Sequence, residues 1–156
     1  MGLDQYLYAS KSLSDGDWRT DEERQNFAKI VEALGMGKAI SKAGFPFVSV
    51  DFQVGYWRKE NAIHQWFVDN CQDGVDDCRK SYVSPEQLKE LRSICERILL
   101  DNSLAGELLP TQSGFFFGST EYDEWYFNGL QDTVDIINHC LTEVGEGSAF
   151  YYQSSW

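Results

Sequence analysis

The sequence predicts an α+β fold, a small and mostly antiparallel sheet of about three strands packed with about four helices, on three observations. Stretches at the start, the early middle and the end have strand character. Between them, four stretches space their apolar residues at helical intervals. A chain of 156 residues, 42% hydrophobic and 15% aromatic, fits one domain, residues 1–156, with a sizeable core.

Taken in order, Gly2 to Ala9 alternates Leu3, Gln5 and Leu7 against Asp4, Tyr6 and Tyr8, a period of two that suits a strand with one aromatic face. A polar turn around Ser14–Asp17 leads to a helix from Asp21 to Leu34. Its stripe is Phe27, Ile30, Val31 and Leu34, and it stops at Gly35 and Gly37. Pro46 opens a strand from Phe47 to Trp57, rich in β-branched and aromatic residues. Lys59 to Asn70 returns to a helical period with Ala62, Ile63, Trp66 and Phe67 inward, and Cys71 to Tyr82 reads as an acidic, turn-like loop. Ser84-Pro85-Glu86-Gln87 is the best local signal: Ser84 as N-cap, Pro85 at the first helical position and Gln87 closing a capping box. The helix runs to about Leu100 with Leu88, Leu91, Cys95 and Ile98 inward. Leu108 to Thr120 is a Gly-, Ser- and Phe-rich connection whose three phenylalanines suggest a short strand or a plug into the core. Thr120 with Asp123 starts the last helix, whose seam is Tyr126, Leu130, Val134, Ile137, Leu141 and Val144; Gly129 marks a place where it can break. Ala149 to Trp156, aromatic to its final residue, reads as a last, docked strand.

Charge is the unusual property. The chain has a net charge of −12, and from Asp101 onward it carries nine carboxylates and no lysine or arginine. Glu121, Glu124, Asn128, Asp132, Asp135, His139, Glu143 and Glu146 advance by three or four residues, so six carboxylates fall on one helix face. Like charges at that spacing repel by a few tenths of a kcal/mol per pair, roughly. Over about 25 residues the row spans about 37 Å, comparable to a turn of DNA at about 34 Å, which permits mimicry of a phosphate track. Either the face is a solvated surface or it docks a basic partner. The charge argues against direct nucleic-acid binding and against an anionic membrane. No apolar run approaches the roughly 18 residues of a membrane span, and the first residues do not resemble a leader, so a cytoplasmic protein is expected. Tyr6 stands where a myristoylation motif wants Ser or Thr.

Two sets of residues offer an alternative ligand site. Trp57, Arg58, Asn61 and His64 join a strand end to a helix start, where a guanidinium, an amide and an imidazole can converge on an anion or nucleotide. Thr111, Ser113, Ser119 and Thr120, with Gln112, place hydroxyl and amide groups beside the phenylalanines and can line a pocket. No nucleophile elbow occurs and no catalytic residues are named. Cys71, Cys78, Cys95 and Cys140 form no CxxC pair and read as free thiols; with His64 and His139 their spacing is too loose for a usual zinc pattern. Asp73-Gly74-Val75-Asp76-Asp77 lacks the ligand spacing of a calcium loop. Neither a metal nor a cofactor is expected.

The stretches MGLDQYLYA, VGYWRKENAIHQWFVDN, QDGVDDC, LLPTQSGFFFGSTEYDEWYF and FYYQSSW together resemble an uncharacterised family of small proteins carried by phages and prophages. Lys11 to Val50 falls outside the resemblance. The resemblance implies a phage context, in which small acidic accessory proteins oppose host defence. The expectation is a non-enzymatic, acidic-surface binding protein or inhibitor acting in the host cytosol. Its partner would be a basic host protein such as a nucleic-acid-binding defence component.

Overall fold

The structure, a computed structural model, describes residues 2–115 and 117–156. Strands β1 (Asp4–Ser14), β2 (Phe47–Arg58), β3 (Ser81–Val83) and β4 (Ala149–Ser155) form one antiparallel sheet in the order β2-β1-β4-β3. The helices are α1 (Asp21–Ala33), α2 (Gly37–Ile40), α3 (Asn61–Cys71), α4 (Pro85–Leu100), α5 (Ala105–Leu108) and α6 (Glu124–Glu143). The class is α+β, as the sequence predicts, with four strands and six helices among the described residues instead of about three and four. The added strand β3 lies at the end of the expected acidic loop. Three residues are too few to show a period, and they are extended because Ser81, Tyr82 and Val83 pair with Tyr152, Tyr151 and Phe150. The added helices α2 and α5 are single turns of four residues.

Contacts group the chain into two compact units, one formed by the chain up to Ala9 and from Phe52 onward, the other by Ser10–Asp51. In the larger unit β1 sends Gln5 and Leu7 inward, with Leu3 just before it, each 0% exposed, while Tyr6 meets Tyr8 and Tyr56 on the opposite face at 6.1 and 5.6 Å between ring centroids. Phe67 of α3 stacks on Tyr152 of β4 at 4.1 Å. The α4 start is built as the sequence spells it. Ser84 accepts from the Gln87 N–H and the Gln87 side chain accepts from the Ser84 N–H, at 3.1 and 2.9 Å. We expect Ser84→Ala to cost about 1 kcal/mol, read as a lower urea midpoint; an unchanged midpoint contradicts the cap.

Helix α6 runs unbroken through Gly129. Asp123 caps it by accepting from the Tyr126 N–H at 3.1 Å. Tyr126, Leu130, Val134 and Ile137 are buried on its seam, with Leu141 and Val144 half-buried. Each such side chain contributes roughly 1.5–3 kcal/mol when fully buried, so the seam fixes which way the opposite face points.

The smaller unit holds α1, α2 and the start of β2. Thr20 and Glu23 form a capping box at the start of α1. Of the expected stripe only Phe27 is fully buried, and Leu34, Met36, Phe45 and Phe47 are exposed. In β1 the in-out alternation breaks at Ala9 and Ser10, both buried, where one unit gives way to the other. No helix among the described residues is long and apolar enough to cross a membrane.

Candidate functional site

The turn from β2 into α3 is held in an unusual backbone. Lys59 has φ 60°, a region that side chains other than glycine occupy at a cost, and its N–H donates to Leu3 O at 2.8 Å. Gly118, at φ +90°, lies so close that a Cβ there would meet Lys59 Cβ at 3.1 Å and Lys59 O at 3.3 Å, so glycine is needed for the loop to reach the turn. Asn61 ties that loop down. Only 4% exposed, it donates from Nδ2 to Phe117 O and Ser119 O at 3.1 and 2.8 Å, and accepts from the Gln112 N–H at 2.8 Å. Thr111 donates to Thr120 O, and Tyr126 donates to Leu109 O at 2.8 Å. Among its described residues the loop contains no strand. Phe115 is exposed, Phe117 meets the edge of His64, and Phe116 lies outside the described residues.

Beside the loop opens a cleft of about 190 Å³ lined by Lys59, Asn61, Thr111, Ser119, Asp123 and Trp125, among others. A second, of about 280 Å³, is lined by Tyr56, Trp57, Arg58, Trp125, Asn128 and Asp132. Glu60 lines both. Its carboxylate rests on the α6 backbone at Gly129, where a Cβ would collide with Glu60 Oε2. Gly129 does not break the helix; its missing side chain makes room for an acid. Burial, then the charges of Asp132 and Asp123, push the Glu60 carboxyl up to about 7. A carboxyl that titrates near neutrality can take or give a proton, and it becomes a full anion when a cation arrives beside it. Trp125, 71% exposed, borders both clefts and offers a ring face to such a cation.

The acidic row continues from these clefts. Glu124, Asn128, Asp132, Asp135, His139 and Glu143 lie on α6 and are all exposed. Glu121 precedes the helix and Glu146 follows it, so the rod is 20 residues, about 30 Å, instead of about 37 Å. Among the described residues no lysine or arginine forms an ion pair with any of the six carboxylates. Ion pairs of the larger unit lie elsewhere, among them Arg79 with Asp73 and Asp77, Lys89 with Glu86, and Arg92 with Glu96. Asp135 accepts a hydrogen bond from Gln131 at 3.1 Å. The imbalance is regional: the larger unit holds seven basic and eighteen acidic residues.

The alternative ligand residues do not all meet. Asn61, Thr111 and Ser119 share the first cleft, while Trp57 and Arg58 line the second. Trp57 is buried and donates its indole N–H to Thr133 at 2.9 Å. His64 is 0% exposed and bonds to Tyr152 and Asp76, so it does not converge with Arg58. Ser113 and Thr120 are exposed and line neither cleft. All four cysteines are free thiols, with burial pushing Cys71 and Cys95 up to about 12 and Cys140 up to about 11. Sequence reasoning missed Glu60, Asp123 and Trp125 as site residues. The one available signal was a glycine inside an otherwise well-patterned amphipathic helix.

Fold and site together define a small α+β protein that presents a carboxylate face without a lysine or arginine ion-pair partner among the described residues and, at the N-terminal half of the same helix, acid-lined aromatic clefts. No family model, curated protein or solved structure matches the chain.

Proposed function

We propose that this is a non-enzymatic phage accessory protein whose α6 face docks on a basic host partner. In this reading it occludes a nucleic-acid-binding surface of a defence component. The observation that carries the reading is the row of exposed carboxylates on α6 with no ion-pair partner among the described residues. Association is then fast and falls with salt, because the field of many like charges steers an oppositely charged partner. Trp125 with Glu60 supplies a place for one cationic side chain of that partner.

Capture of host proteins at low and moderate salt tests this, with Asp132→Lys/Asp135→Lys/Glu143→Lys as the control. The expected result is a partner lost by at least roughly tenfold in affinity on reversal, with thermal stability unchanged or raised as repulsion is relieved. A variant that captures the same proteins as the wild type overturns the reading.

The Asn61-clamped cleft favours a second reading, a small-molecule pocket. Its lining by Glu60, Glu121 and Asp123 suits a cationic or neutral ligand better than the phosphates of a nucleotide. Thermal shift with amines and nucleotides separates these cases, since a bound ligand raises the midpoint.

A further inference from the structure

A chain of hydrogen bonds crosses the core of the larger unit from β1 to Trp156, and its donors and acceptors fit only with one proton more than a neutral histidine and a carboxylate supply. The Glu60 carbonyl oxygen can only accept, so the Gln5 amide, 3.2 Å away, turns its Nε2 toward it. Gln5 Oε1 is then left facing the Tyr152 hydroxyl at 3.2 Å, and it too can only accept. Reversing the amide would set Oε1 against the Glu60 oxygen, two acceptors face to face. Tyr152 has a single proton and gives it to Gln5. His64 Nδ1, 2.8 Å from the same hydroxyl oxygen, must therefore bring a proton of its own. On the other side of the ring, Nε2 lies 3.0 Å from Asp76 Oδ2, a contact that also needs a proton. Asp76 Oδ1 accepts the Trp156 indole N–H at 3.1 Å, which favours the ionised carboxylate and leaves that proton on the imidazole.

We infer that His64 is a buried imidazolium paired with Asp76, and that this pair is a proton-dependent latch on the segments around it. Phe117 sets its ring edge-on to His64 at 5.2 Å and to Trp156 at 6.4 Å, so the loop that walls the first cleft and the last residue both rest on the pair. The groups around the pair are Asp76 and Cys78 from the loop after α3, Cys71 of α3, Tyr152 of β4 and Gln5 of β1. Burial holds the Tyr152 hydroxyl and the Cys71 thiol neutral, so Asp76 is the anion that offsets the charge of the ring. When pH rises enough to remove the proton, a bare Nε2 faces a carboxylate and the two repel. Asp76, Trp156 and Phe117 are then released.

Long-range 1H–15N spectra of the two histidines test this, with His139→Gln assigning the signals. At pH 7.5 both ring nitrogens of His64 are expected to carry protons, and on raising the pH the Trp156 indole signal shifts with the same midpoint as the ring. Asp76→Asn is expected to leave His64 neutral, protonated at Nδ1 alone. A bare ring nitrogen in the folded wild type at pH 7.5 overturns the inference, as does an Asp76→Asn protein that keeps both protons. Should that variant not fold, the wild-type spectrum decides alone.

Discussion

Glu60→Gln is expected to stabilise the protein at pH 8 and to leave it nearly unchanged at pH 4.5. The folded Glu60 carboxyl titrates at about 7, above its ordinary 4.5, because it is buried against α6 and faces Asp132 and Asp123. Between these two pH values the folded chain holds a proton that the unfolded chain has released, so stability falls as pH rises through that window and stays reduced above it. Two and a half pH units correspond to about 3 kcal/mol, an order-of-magnitude figure at about 1.4 kcal/mol per unit. Glutamine keeps the shape and removes the titration, and the carboxylates remote from Glu60 are common to both proteins. Urea unfolding of the two at pH 4.5 and pH 8 isolates Glu60. A difference that is the same at both pH values contradicts the burial of this carboxyl beside Gly129. Gly129→Ala supplies a second route, since its methyl group displaces the carboxyl and should flatten the same pH dependence.

Asn61→Asp is expected to lose about 3 kcal/mol at pH 8, from two forfeited donor bonds and a carboxylate set against two carbonyl oxygens. The shape is unchanged and the bond from the Gln112 N–H survives. What is lost is the donation to Phe117 O and Ser119 O, at a position 4% exposed. At pH 4.5 the deficit should shrink, because a protonated carboxyl can donate to one of the two oxygens. Asn128→Asp, on the exposed side of α6, is the control and should change stability by less than about 0.5 kcal/mol. If the two variants behave alike, Asn61 does not hold the loop.

Much of the fold was legible because it is locally encoded. Ser84 to Gln87 announces α4 within four residues, and the seam from Tyr126 to Ile137 announces α6 together with the face it turns outward. Strand β3 was not legible, since its three residues are extended only through β4, some seventy positions away. The acidic row was readable for the same reason as α6. The clefts were not: Glu60 meets Gly129, Asp123 and Asp132 only after α6 has packed, and a helical period says nothing about that meeting. Gly129 carried a trace of it, but a glycine in a helix pattern suggests a break before it suggests a guest. Asn61 and His64 are three apart, which implies a shared site. The fold instead sends Asn61 to the loop and His64 to Tyr152 and Asp76, because both are buried and each must satisfy its own polar atoms.

The central claim is that α6 presents a row of anions with which no lysine or arginine among the described residues forms an ion pair. Titrating the 15N-labelled protein with an octa-arginine peptide and mapping the shifted amides tests it most directly. The account predicts the largest shifts along Glu124, Asn128, Asp132, Asp135 and His139 and at the Trp125 indole, fading as salt is raised. Shifts centred instead on Asp73 to Asp77 or along α4, with α6 silent, would contradict it.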